Sequence, residues 1–100
     1  MVNDLWWREQ DADYIWRRGE RYPGSTGVEP EWTLEAAADP RRIVREPDPR
    51  SRSGAIRIIG HSASAGFVIT VIVTRSDHAG ASAWKTTGAD LGEYEGQGRL

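Results

Sequence analysis

The sequence predicts an α+β domain in which N-terminal helices pack on an antiparallel β-sheet of three to four strands. Helix-like segments come first and strand-like segments follow, an order that favours segregated helices and an antiparallel sheet. The strongest signal is Phe67 to Thr74, a continuous apolar run rich in β-branched residues. Such a run predicts a central strand that is buried on both faces. The 100 residues suffice for a single domain, 1–100, with one core.

The N-terminal segment predicts a helix followed by a loop. Residues 4–18 contain no Gly or Pro, Asp4 can cap their N-terminus, and Gly19 is a plausible stop. Residues 19–30 hold three Gly and two Pro and predict a loop. The loop is long for a compact domain, which favours a role in function or in partner contacts.

A second, short helix is predicted over residues 31–38. Pro30 suits the first turn of a helix, and Asp39-Pro40 ends the segment. Arg41 to Arg45 then predict a short strand.

The second half of the chain predicts a three-stranded meander and a short C-terminal helix. The strands, separated by turns of five to six residues, are Ala55 to His61, Phe67 to Thr74 and Ala81 to Lys85. Residues 88–95 predict the helix, which Gly92 weakens, and residues 96–100 are expected to fray.

Composition excludes several classes of protein. The absence of Cys excludes disulfide scaffolds and thiolate metal sites, and it fits a reducing, cytoplasmic compartment. The longest apolar stretch, Gly66 to Val73, is far too short to span a membrane, so no membrane partner is expected. His61 and His78 lack metal-ligand spacing, and no glycine-rich phosphate loop is present. Neither a metal nor a cofactor is therefore expected.

The net charge of −2 is unevenly distributed along the chain. Residues 1–40 carry −5, residues 41–57 carry +4, and residues 58–100 carry −1. The basic middle segment has two interpretations: a stripe that binds a polyanion, or solvated charge on loops and an edge strand.

A small set of basic and aromatic residues is the remaining candidate for chemistry. Strand alternation puts Arg57, Ile59 and His61 on one face of their strand. Arginine and lysine can stabilise a pentacovalent phosphate, and histidine can transfer a proton, as RNA cleavage by 2′-OH attack requires. The alternative roles are a structural salt bridge for Arg57 and a surface position for His61. Trp84, beside Lys85, either packs in the core or offers a ring on which a base stacks.

In the order and spacing of its segments the sequence resembles a known family of toxins. The segments that carry the resemblance are Trp16-Arg17-Arg18-Gly19, Trp32 to Pro40, Ile56 to Gly60, Gly66 to Thr74, and Ser82 to Asp90 with Tyr94-Glu95. The family is BrnT, within the RelE/ParE-like toxin superfamily, and Gly66 to Glu95 is the most specific part of the match.

The resemblance implies a small RelE-like fold and the toxin role of a type II toxin–antitoxin pair. The implied activity is metal-independent endoribonuclease cleavage of mRNA, free or on the ribosome, which inhibits translation. The implied partner is a ribbon-helix-helix antitoxin from a neighbouring gene, through which alone the complex binds operator DNA. The candidate catalytic residues are Arg57, Lys85 and His61, of which His61 has no counterpart in the family motif. The candidate RNA-binding residues are Arg17, Arg18 and Trp84.

Two other functions remain open on the same fold. Trp84, Gly88 and Ala89 stand where the family has basic residues. These replacements favour a non-catalytic protein that binds a small DNA-binding partner and tunes transcription. The third hypothesis is a ParE-type toxin, which inhibits gyrase without cleaving RNA.

Overall fold

The computed structural model describes residues 4–97, and within them four helices and four strands follow one another along the chain. The elements are α1 (Glu9–Trp16), α2 (Arg18–Arg21), α3 (Pro30–Ala38), β1 (Ile43–Arg45), β2 (Ile56–Ser62), β3 (Phe67–Val73), β4 (Gly80–Lys85) and α4 (Gly88–Glu95). The α+β architecture predicted from the sequence is confirmed, including its short C-terminal helix, and it is consistent with a small RelE-like fold.

The four strands form one antiparallel sheet in the order β1-β2-β3-β4. The predicted meander corresponds to β2, β3 and β4, and β1 pairs with the outer edge of β2. Strand β3 is central, as its apolar run predicts, and only Phe67 and Ile72 of its seven residues are not fully buried. Strand β4 is an edge strand, so side chains at its end can reach solvent.

One face of the sheet forms the main core. Its buried side chains include Ile56, Ile58, Ile69, Val71, Val73 and Ala83, which cluster with Ile15, Val28, Ala36 and Ala37. Helix α3 lies very close to β2, since a Cβ built on Gly60 would stand 2.1 Å from the carbonyl oxygen of Ala36. Only glycine allows this approach. The burial of these aliphatic side chains stabilises the helical layer on the sheet.

The opposite face of the sheet is partly covered by α4. The register places Arg57, Ile59 and His61 on this face, as strand alternation predicts. Ile59 is fully buried there and Arg57 nearly so, whereas His61 is exposed. Two residues of one strand face therefore have very different surroundings.

The helix predicted over residues 4–18 starts earlier than the helix that the structure contains. Helix α1 starts at Glu9, and Trp6 instead forms a parallel bridge with Ala79. The Gly80 N–H donates to the Trp6 carbonyl oxygen at 2.7 Å. Asp4 caps no helix and contacts His78 instead. The backbone of this segment satisfies its hydrogen bonds at the edge of β4, a non-local option that the local pattern does not reveal.

The predicted stop at Gly19 is also misplaced. The helical path breaks at Arg17, whose ψ is 18°, and Gly19 lies inside α2. The loop consequently runs from Tyr22 rather than from Gly19 to α3. Of the residues expected to fray, Gln97 donates a side-chain hydrogen bond to the Arg41 carbonyl oxygen at 2.7 Å. Residues 98–100 lie outside the described residues.

Within residues 4–97, no helix has the length and apolar character needed to cross a membrane.

Glu35 of α3 connects this helix to the turn between β2 and β3. Its carboxylate accepts hydrogen bonds from the Ser62 hydroxyl at 2.6 Å, the Ser64 hydroxyl at 2.6 Å and the Ser64 N–H at 3.0 Å. These bonds, the one from Ser62 first, lower the pKa of Glu35 to about 2. A carboxylate that accepts several hydrogen bonds is favoured in its charged form.

We expect Glu35→Gln to flatten the acid dependence of stability. At pH values between about 2 and the pKa that Glu35 has in the unfolded chain, the unfolded chain binds more protons at this site than the native protein does. The stability that the native carboxylate contributes is therefore lost as the pH falls through this range. Urea unfolding at several pH values between about 5 and 2 measures this slope. Glu31→Gln, at an exposed position of the same helix, is the matched control. Equal slopes for wild type and Glu35→Gln would contradict the assignment.

Candidate functional site

A polar cleft lies at the end of β4, beside α2 and the loop that follows it. It has a volume of about 380 Å³ and is lined by Arg18, Ser25, Thr26, Trp84, Lys85 and Thr87. Trp84 pairs with Thr70 and Lys85 with Ile69, so the two side chains leave β4 on opposite faces of the sheet. Both line one cleft because β4 is an edge strand. Three of the predicted site residues thus come together here.

Arg18 contacts two aromatic rings of the cleft region. Its guanidinium carbon lies 5.1 Å from the ring centroid of Tyr22 and 5.8 Å from that of Trp84. Within residues 4–97, it has no carboxylate partner and donates no side-chain hydrogen bond. A guanidinium meets an aromatic ring with its face, and its N–H donors point outward in the plane. The donors of Arg18 are therefore available to a phosphate.

Lys85 supplies the second cation of the cleft. Its side chain is exposed, and its Nζ lies 5.1 Å from the ring centroid of Phe67. In the part of the chain that the structure describes, no carboxylate lies within salt-bridge distance of this ammonium group. The cleft lining named above includes no Asp or Glu either. The site is locally positive although the chain as a whole is acidic, a combination that suits an anionic ligand.

Arg57 lies outside the cleft lining, as the centre of a buried ion-pair cluster. Its Nε donates to Asp48 Oδ2 at 2.9 Å, and its Nη1 donates to Asp90 Oδ2 at 3.0 Å. The side chains of Arg57, Asp48 and Asp90 are only 9%, 3% and 10% exposed. Burial works against ionisation of Asp48, but hydrogen bonds from the Arg50 N–H and from Arg57 keep its pKa below the usual value.

This cluster determines how Arg57 can act on the cleft. The guanidinium carbon of Arg57 lies 5.5 Å from the ring centroid of Trp84. Arg45 adds to the cluster with a 3.2 Å contact to Asp90 and an ion pair with Glu93. Two carboxylates balance the charge of Arg57. Its route of action on the cleft is its contact with the Trp84 ring. Its geometry is that of a positioning residue rather than of a phosphate ligand.

Arg17 and His61 lie away from the cleft. Arg17 forms ion pairs with Asp13 at 2.8 Å and Glu20 at 3.7 Å and lines a separate surface cavity with Trp16 and Trp32. His61 lies near the C-terminal end of β2, where its backbone N–H donates to Asp39 Oδ2 at 2.8 Å. Neither residue lines the cleft with Trp84 and Lys85.

The basic segment 41–57 does not supply the positive charge of the cleft. Arg45 and Arg57 are ion-paired, as described above. Arg41 and Arg42 donate to backbone carbonyl oxygens, of Gln97 at 3.1 Å and of Asp39 at 3.0 Å. The cations of the cleft come instead from residues 18 and 85, which lie outside the segment with the highest net charge.

Sequence reasoning missed the hydroxyl groups of the cleft and the acidic partners of Arg57. Ser25 and Thr26 belong to the long loop, whose length indicates a functional role without naming residues. Thr87 is the N-cap residue of α4, yet its side chain makes no capping hydrogen bond. Asp48 and Asp90 lie nine and 33 residues from Arg57. No local signal identifies such distant partners.

Comparison of the sequence with models of known protein families gives no match, and a search of curated proteins gives none either.

Proposed function

We propose that the chain is the toxin of a type II toxin–antitoxin pair and that it binds and cleaves mRNA at the Arg18–Trp84–Lys85 cleft. The observation that carries this proposal is the pairing, in one pocket, of a half-buried tryptophan with two cations that have no carboxylate partner within residues 4–97. Cations meet phosphates, and an aromatic ring accepts a stacked base. The resemblance to BrnT toxins supports the same function.

In this function the cleft holds one phosphate and an adjacent base of single-stranded RNA. Lys85 and Arg18 contact the phosphate, and Trp84 stacks on the base. Attack of the 2′-OH on phosphorus expels the 5′-oxygen and leaves a 2′,3′-cyclic phosphate. Lys85 stabilises the added negative charge on the phosphoryl oxygens. Water accepts the 2′ proton and supplies the proton to the 5′-oxygen, because no histidine or carboxylate is among the cleft residues named above.

The proposed partner is a ribbon-helix-helix antitoxin encoded next to the toxin gene. Helix α1 begins with Glu9, an exposed acid in the part of the chain with a net charge of −5. A basic antitoxin segment is complementary to this acidic N-terminal part. Operator DNA is bound through the antitoxin in this proposal.

Induced expression in bacteria tests the proposal. Wild type is expected to stop growth and degrade transcripts, and Arg18→Ala/Lys85→Ala to do neither, since the phosphate loses both cations. The matched control is Arg52→Ala/Arg75→Ala, which removes two exposed cations outside the cleft. It is expected to remain toxic. A harmless wild type, or an Arg18→Ala/Lys85→Ala variant that still degrades transcripts, would overturn the proposal.

A second candidate function is a non-catalytic interaction protein on the same fold. It is favoured by the charge balance at Arg57 and by the absence of a proton-transfer side chain among the named cleft residues. Co-purification with the neighbouring gene product, in cells whose growth and transcripts remain normal, would select this function. Replication arrest with intact mRNA would instead select the gyrase inhibitor.

A further inference from the structure

We propose that a surface next to the cleft, the aromatic strip, binds further bases of the same single-stranded RNA. The strip consists of Tyr14, Arg21 and Tyr22, with Arg18 connecting it to the cleft. This inference rests on the proposed RNA-binding function and extends its substrate from one nucleotide to a run of unpaired nucleotides.

The two tyrosines of the strip are exposed to solvent. Tyr14 is 39% exposed and Tyr22 is 49% exposed. Each ring has a guanidinium beside it: Arg21 lies 3.7 Å from the centroid of Tyr14, and Arg18 lies 5.1 Å from that of Tyr22. Exposed rings interleaved with cations are the arrangement that binds single strands without reading a fixed sequence.

Arg18 makes the strip continuous with the cleft. One guanidinium lies beside both Tyr22 and Trp84, so the two rings belong to one connected surface. A base stacked on Trp84 and a neighbouring base stacked on Tyr22 would place the intervening phosphate near Arg18. Arg18, which links the two rings, therefore also has N–H donors that no group within residues 4–97 occupies.

The charges of the strip also suit RNA. Within residues 4–97, neither Arg18 nor Arg21 forms a salt bridge, and Arg21 donates to the Tyr14 carbonyl oxygen. The nearby Arg17 is neutralised by Asp13 and Glu20, so the positive potential is concentrated on Arg18 and Arg21. Stacking needs unpaired bases, because the bases of a duplex are already stacked on one another.

The Arg8–Trp6 pair provides an internal contrast. Arg8 lies 4.8 Å from the ring centroid of Trp6, and Trp6 is 42% exposed, so the contact type and exposure match those of the strip. Arg8, however, is paired with Asp77 at 3.2 Å. The same aromatic–arginine geometry is present there without a free cation, which makes Arg8→Ala the matched control for Arg21→Ala.

Fluorescence anisotropy with a labelled nucleoside monophosphate and a labelled single strand of about eight nucleotides tests the strip. The full chain is expected to bind the longer strand more tightly. Tyr22→Ala and Arg21→Ala should weaken binding of the longer strand between about fivefold and a hundredfold and leave binding of the mononucleotide unchanged. Tyr22→Phe, which keeps the ring, and Arg8→Ala should bind both like wild type. A duplex of equal length should gain nothing from the strip.

The failures of the two proposals are distinguishable in this experiment. If Tyr22→Ala and Arg21→Ala bind the longer strand like wild type while Lys85→Ala loses binding, the strip is overturned and the cleft is supported. If wild type binds no RNA of either length, the cleft and the strip are both overturned. Circular dichroism of each variant shows whether the fold is retained, and Tyr14→Ala repeats the test at a second ring.

Discussion

Arg57→Ala is expected to destabilise the native state by about 3–5 kcal/mol, because it leaves two buried carboxylates without their shared partner. The cost is large relative to the 5–15 kcal/mol typical of small domains. Urea denaturation at neutral pH, compared with Arg75→Ala at an exposed turn position, measures the difference. A free energy of unfolding within about 1 kcal/mol of wild type would contradict the ion-pair role of Arg57.

A rescue experiment separates charge from packing at this position. In Asp48→Asn/Arg57→Met/Asp90→Asn the buried charges are removed together, so most of the stability lost in Arg57→Ala should return. The comparison also bears on function. Loss of toxicity in Arg57→Ala would follow from unfolding alone and would not identify a catalytic group. A stable triple variant that still binds RNA would show that Arg57 is not itself an RNA ligand.

Local patterns were sufficient to predict the sheet. Phe67 to Thr74 predicts a central strand from side-chain type alone, and the turns on either side predict its two antiparallel neighbours. The period of two also placed Arg57 and His61 on the correct face of β2. The alternation could not show that α4 covers Arg57 and leaves His61 exposed, because this difference depends on contacts between residues more than thirty positions apart.

The N-terminal segment and the cleft show why other features were missed. Residues 4–8 have helical composition, yet the Trp6 backbone pairs with the edge of β4 about seventy positions away. The cleft likewise joins Arg18 of α2 to Lys85 of β4. The resemblance to BrnT toxins singled out both residues, but their proximity requires the tertiary fold. Net charge by segment was misleading for the same reason, since folding pairs Arg45 and Arg57 with carboxylates and directs Arg41 and Arg42 to backbone carbonyl oxygens.

Lys85→Ala and Trp84→Ala are expected to weaken RNA binding with different salt dependences. Lys85 neutralises one phosphate, so its loss should reduce the slope of log affinity against log salt by about 0.7 for a single strand. Trp84 contributes stacking, so its loss should lower affinity by about fivefold to a hundredfold at every salt concentration without changing the slope. Anisotropy titrations between about 50 and 200 mM salt measure both quantities.

The salt test distinguishes a phosphate ligand from a stacking platform without relying on catalysis. Arg75→Ala, which removes an exposed cation outside the cleft, should retain wild-type affinity and slope. Trp84→Phe should recover part of the stacking, because it keeps an aromatic ring beside Arg18 and Arg57. If Lys85→Ala leaves the slope unchanged, Lys85 contacts no phosphate. If Trp84→Ala reduces the slope of log affinity against log salt, the tryptophan acts by holding Arg18 against RNA rather than by stacking on a base.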